Sequence, residues 1–95
     1  MDYDSIAKAG SMLGSGAVIV MDDSRDMVTS LKRLSYFYMH ESCGQCTPCR
    51  EGTGWLFRLV ERIHGGQGKA ADMAVLDNVA ESIMGRTICA LGDAA

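Results

Sequence analysis

The residues able to do chemistry crowd into one stretch, "ESCGQCTPCREG" at 41–52, where Cys43, Cys46 and Cys49 stand at C-x-x-C-x-x-C spacing. The remaining cysteine, Cys89, lies forty residues beyond the third. Three thiols at i, i+3 and i+6 describe a tight loop wrapped around something wide. Structural zinc sites commonly use two separated C-x-x-C hooks on opposite sides of one small ion. A four-iron cubane is larger, with a separate iron for each thiolate, and C-x-x-C-x-x-C with a further cysteine elsewhere is a [4Fe–4S] ligand arrangement. In two-cluster ferredoxins the fourth cysteine follows closely and precedes a proline, which Cys89 does not. The spacing favours an iron–sulfur cluster over zinc, and either over free or disulfide-paired cysteines; all three readings remain open on the residues alone. A cluster held by four thiolates keeps no open coordination position, so it moves single electrons instead of binding substrate.

The residues between the cysteines suit that purpose. Gly44 lets the backbone approach a bulky inorganic group, and Ser42 and Thr47 offer hydroxyls to sulfur. Cys49 falls in the first turn of an expected helix, where unpaired N–H groups favour a thiolate. Arg50 reads equally as a partner of the site or as a solvated surface residue. No convincing catalytic set accompanies the cysteines. His40 stands close enough in sequence to flank the site, His64 suits a helix C-terminus, and Glu61 with Arg62 reads as an exposed polar face.

The elements that must position these residues are mainly helical. Glycines 10, 14 and 16 precede the run Ala17–Met21, which reads as a short buried strand. A dinucleotide-binding loop needs strand, glycines and helix in that order, so these glycines predict a tight turn instead. Ser24 is the expected N-cap of a first helix whose core face is Met27, Leu31, Leu34 and Tyr38, widened by Phe37 and Met39. Thr47 as cap and Pro48 at the first helical position open a second helix, with Leu56, Leu59, Val60 and Ile63 inward and Gly65 and Gly66 as its stop. Gly52 and Gly54 inside it imply close approach of another backbone or of an inorganic group. A third helix spans 71–84 with Met73, Leu76, Val79, Ala80 and Ile83 inward, and Gly85 stops it. A fourth helix begins at Asp93 and is cut short. The expected fold is a small bundle of three helices plus the start of a truncated fourth, after a short extended or β segment. Residues 1–23 read as the tail of a preceding domain and 24–95 as the cysteine-bearing domain.

Composition narrows the function. Ninety-five residues with 47% hydrophobic and 22% charged side chains fit one small globular domain, of a size that often leans on a metal or a partner for stability. A net charge of −3 without a basic run argues against nucleic acid, and no apolar stretch is long enough to insert in a membrane. The N-terminus lacks the basic flank and apolar core of a secretory signal, which favours a reducing compartment and metal-binding cysteines.

"ESCGQCTPCREGTGWL" together with "TICALGDAA" resembles the C-terminal iron–sulfur domain of the flavin- and NADH-binding subunit of respiratory complex I, NADH:quinone oxidoreductase. The upstream "MDYDSIAKAGSMLGSGAVIVMD" resembles the segment preceding that domain, so the similarity spans essentially the whole chain. Flavoprotein subunits of NAD-reducing hydrogenases and formate dehydrogenases share the cysteine motif. The resemblance implies that Cys43, Cys46, Cys49 and Cys89 bind one [4Fe–4S] cluster that relays electrons from a reduced flavin mononucleotide (FMN). FMN and NADH would bind only in the full-length subunit, in an N-terminal domain this chain lacks. Implied partners are that domain and other iron–sulfur subunits of the peripheral arm, on the cytoplasmic side of a bacterial inner membrane or the matrix side of a mitochondrial one. The rival reading is a zinc-stabilised interaction module.

Overall fold

The structure, a computed structural model, describes residues 2–95, so the first residue of the expected N-terminal segment lies outside the described residues. Five helices follow in order: α1 Tyr3–Lys8, α2 Met27–Glu41, α3 Thr47–His64, α4 Ala70–Ile83 and α5 Ala90–Ala94. The mainly helical class stands, and α2, α3 and α4 are the three helices expected. Among the described residues α3 is the hub, packed against α2, α4 and α5.

The N-terminal expectation needs correction. Ala17–Met21 forms no strand, and Val18, Ile19 and Val20 are 64%, 73% and 87% exposed. A strand needs a neighbour for its backbone groups, and no other strand exists among the described residues to supply one. The glycines before it do make turns, with positive φ at 10, 14 and 16. The short α1 was not anticipated; it buries none of its side chains, so it leaves no hydrophobic period to read. Its polar signals are nonetheless present, with Asp2 accepting from the Ser5 N–H and Lys8 in the last turn.

α3 starts as its sequence dictates. Cys46 takes the extended capping conformation and Pro48 sits in the first turn, where an N–H has no helical partner. Thr47 is therefore the first helical residue and not the cap. Leu56 and Val60 are buried, Leu59 and Ile63 half-buried, and the helix ends at Gly65. Against this face lie Val79 and Ile83 of α4, forming with Leu56 the buried cluster on which Leu59, Leu76 and Ala80 pack. Met73 is not part of it and stands 58% exposed. Among the described residues the core numbers only five buried hydrophobic residues, Cys49, Leu56, Val60, Val79 and Ile83. Each fully buried aliphatic side chain contributes about 1.5–3 kcal/mol, so little of this core is dispensable.

Gly52 explains how α4 comes so near. A Cβ there would stand 2.6 Å from both Cγ1 and Cδ1 of Ile83, which is itself 2% exposed. The close neighbour is thus an isoleucine side chain, not the backbone or inorganic group expected. Gly54 faces the Arg58 guanidinium instead. A polar clamp reinforces the same helix pair: Arg62 grips the Asp72 carboxylate through Nε, at 3.0 Å, and through Nη2. Asp72 is 4% exposed and also accepts the Lys69 N–H at 2.8 Å, closing the start of α4. That backbone hydrogen bond, then the Arg62 contact, hold its carboxyl below the usual carboxylate range. Arg62 and Glu61 are therefore not a mere solvated face, since Glu61 pairs with Lys32 of α2 at 3.3 Å.

α2 packs the other way round from its hydrophobic pattern. Asp26, not Ser24, caps it, accepting from Val28 and Thr29 N–H groups; the Ser24 hydroxyl is engaged with Asp22. Ser35 is its one buried residue, and contacts to α3 run through Thr29, Lys32 and Tyr36. The Thr29 hydroxyl lies 3.0 Å from His64 Nε2, and Tyr36 meets Phe57 edge-on at 5.4 Å. The expected core stripe faces outward: Met27, Leu31, Leu34 and Phe37 are 43–59% exposed. With Ile19 and Met21 they line an open groove of about 480 Å³. Tyr38 and Met39 are half-buried.

Two outcomes follow from the α3–α4 seam. Gly52→Ala should lower stability by about 1–3 kcal/mol, the usual cost of overpacking, read as a fall in urea midpoint at unchanged slope. Asp72→Asn should lower the thermal midpoint at neutral pH. Because the folded carboxyl titrates below its unfolded value of about 4, its stabilisation is present above that pH and lost as pH falls through the folded value. Melts recorded from pH 7 downward should show the parent and Asp72→Asn converging in acid.

Candidate metal centre

The cysteine loop is the connection between α2 and α3. Ser42 ends α2 with its N–H on the Tyr38 carbonyl at 3.1 Å. Gly44 then reverses the chain with φ +79°, a left-handed conformation that L residues rarely adopt. Arg50 reaches back from the first turn of α3, donating from Nη1 to the Gly44 carbonyl at 2.9 Å and from Nη2 toward the Thr47 hydroxyl at 3.4 Å. Its Nε pairs with Glu51 at 3.0 Å. Arg50 is therefore a strut of the loop, and Thr47 serves that strut instead of donating to sulfur as expected.

All four thiols are free, but their surroundings differ. Cys49 is buried at 7% exposure, Cys46 is half-buried at the start of α3, and Cys43 and Cys89 are exposed. The Ser42 hydroxyl lies 3.2 Å from Cys49 Sγ, as the sequence led us to expect. The Ile88 N–H donates to Cys46 Sγ at 3.4 Å, across 42 positions of chain. That contact brings the approach to Cys89 onto the loop bearing the other three cysteines. Cys89 itself occupies the capping position of α5, and its carbonyl accepts from the Thr87 hydroxyl at 2.9 Å. Asp93 of α5 accepts the Gly85 N–H at 2.7 Å, so the short helix is tied back to the end of α4. α5 begins at Ala90, three residues before the expected start.

Among the described residues, no three His, Cys, Asp or Glu side chains converge tightly enough to hold a single metal ion. The donor chemistry suits a wider group. Four thiols are carried by two segments that meet through Ile88 and Cys46, and two of the sulfurs already receive or face a donor that would offset thiolate charge. The other polar residues weighed from sequence serve elsewhere. His40 is exposed, stacked on Tyr36 at a 6.0 Å centroid distance and 3.3 Å from Glu41. His64 sits at the end of α3 with its Nε2 against the Thr29 hydroxyl of α2. The Thr29 hydroxyl, then the Val28 and Thr29 N–H groups, keep the Asp26 carboxyl below its ordinary range. The role of Ile88 escaped the sequence, because a backbone N–H carries no residue-type signal.

A thiol loop at a helix start, met by a segment from the far end of the chain, is the kind of donor set an iron–sulfur centre uses. Comparison with known proteins agrees. A family model described as the iron–sulfur binding region of NADH-ubiquinone oxidoreductase-F matches residues 29–95, and the chain belongs to that family. The cofactor of the family is a [4Fe–4S] cluster. The chain is 59% identical over 95 residues to the F subunit of NADH-quinone oxidoreductase from Rickettsia massiliae and 58% identical to its counterpart from Rickettsia typhi. All of the chain is aligned in both cases, and it spans 23% of each relative's length.

Gly44→Ala should strain the loop at the left-handed position by about 1–2 kcal/mol and loosen the Arg50 strut. The expected result is lower iron content per chain after loading, with far-ultraviolet circular dichroism unchanged; full iron content would count against the loop's role.

Proposed function

We propose that Cys43, Cys46, Cys49 and Cys89 hold one [4Fe–4S] cluster and that the chain is a one-electron relay within an NADH:quinone oxidoreductase. When bound, such a cluster supplies a site that accepts and releases single electrons without making or breaking substrate bonds. The protein's part is to hold four thiolates in place. Cys49 lies in the first turn of α3, whose unpaired N–H groups and dipole favour negative charge on sulfur. Arg50 and Gly44 fix the loop, and α4 carries the fourth ligand back to it. The observation that carries this proposal is the Ile88 N–H on Cys46 Sγ, which joins two segments of the chain at sulfur.

In the full-length subunit, electrons would arrive from FMN reduced by NADH and leave to iron–sulfur centres of neighbouring subunits. Residues 1–23 would be the tail of the flavin- and NADH-binding domain and 24–95 the cluster domain. The outward apolar stripe of α2 supports a chain that packs against further protein, since exposed patches of this kind mark interaction surfaces. The setting would be the peripheral arm, on the cytoplasmic side of a bacterial membrane or the matrix side of a mitochondrial one. No helix among the described residues is long and apolar enough to cross a membrane.

Anaerobic loading with iron and sulfide should give a brown product with about four irons per chain, and Cys89→Ser should lose most of that iron. A colourless chain retaining one zinc would overturn the relay in favour of a zinc-stabilised module.

A further inference from the structure

We propose that Ser42 is a tuning residue of this centre: its hydroxyl donates to Cys49 Sγ and raises the reduction potential of the cluster. The inference rests on the iron–sulfur proposal above and adds a role for a residue that binds no metal. Three features of the geometry carry it.

The first is direction. Ser42 Oγ is 3.2 Å from Cys49 Sγ and also accepts the Gly44 N–H at 3.4 Å. A metal-bound cysteine is a thiolate and has no proton to give, so the hydroxyl must be the donor. The Gly44 N–H polarises that hydroxyl further, forming a short chain of hydrogen bonds that ends on sulfur. The second is burial. Cys49 is the one buried cysteine, at 7% exposure. Water therefore has poor access to replace a lost donor, and the local field of the hydroxyl is weakly screened. The third is anchoring. Ser42 ends α2 with its N–H on Tyr38, while Cys49 stands in the first turn of α3. The two atoms are therefore held by helices that also meet through Tyr36 and Phe57. Thr47, the other hydroxyl in the loop, is engaged by Arg50. Among the described residues Ser42 is the only side chain hydrogen-bonded to a cysteine sulfur; the other donor, at Cys46, is backbone.

The sign follows from charge. On one-electron reduction the ligand sulfurs gain negative charge, and a donor to sulfur stabilises the reduced state more than the oxidised one. No bond forms or breaks in that step, and the proton remains on Ser42 Oγ.

The test is a potentiometric titration of the cluster-loaded holoprotein with dithionite, followed by electron paramagnetic resonance, on the parent, Ser42→Ala, Ser42→Thr and Ser42→Val. Threonine and valine share a shape and differ in the hydroxyl alone. The alanine and valine forms should be harder to reduce, by up to about tenfold in the reduced-to-oxidised ratio, or about 59 mV for one electron. The threonine form should stay near the parent. A common midpoint for all four, or a threonine form shifted as far as valine, would overturn the tuning role. Proton ENDOR in H2O and D2O offers a second readout that needs no variant. The parent should show two exchangeable protons strongly coupled to the cluster, from the Ser42 hydroxyl and the Ile88 N–H, and finding fewer than two overturns the inference even where a variant fails to load. A parent that takes up no cluster would instead overturn the iron–sulfur proposal itself.

Discussion

The structure turns on one constraint: the Ile88 N–H reaches Cys46 Sγ across 42 positions, so the chain between them has to fold back on itself. α4 does this by running against α3, and its last residue, Ile83, fills the space left by the absent side chain of Gly52. Gly52 lies one turn beyond Cys49, and Ile83 lies shortly before Cys89. This close approach of the two helices is therefore at the cysteine end of the bundle. Core and centre are not separate regions. A substitution that opens the seam moves the distal thiol, and a group bound by all four thiols would in turn hold the seam shut.

Around that seam the polar residues act as braces. Arg62 and Asp72 clamp the far end of α3 to the start of α4, Lys32 and Glu61 link α2 to α3, and Arg50 props the cysteine loop. With only five buried hydrophobic residues among the described ones, such braces carry a larger share of the geometry than they would in a larger domain. The arrangement of α2 follows the same economy. It meets α3 through Thr29, Lys32 and an aromatic edge, leaving its methionine and leucine stripe outward.

Much of this was legible in residue types. The thiol spacing, Pro48 at the start of α3, the glycine stops at 65 and 85, and the inward Leu56, Val60, Val79 and Ile83 all reflect local rules that do not need a neighbour. Gly52 announced a close approach without naming what approached. The failures share a cause as well. Ala17–Met21 and the α2 stripe are apolar, and an apolar run says that a surface wants cover. It does not say that this chain supplies the cover.

The amino-acid sequence by itself determined which side chains are available, that proline opens α3, where α3 and α4 stop, and that four thiols are present in a cluster-like pattern, because proline geometry, glycine stops and helical period act over a few residues. Only the tertiary structure decided which face of α2 turns inward, that Arg62 seeks Asp72, that the Ile88 N–H falls on sulfur, and which of the sulfurs the Ser42 hydroxyl meets. Those outcomes depend on how rigid helices are placed against one another, and such placement is a property of the whole packed chain.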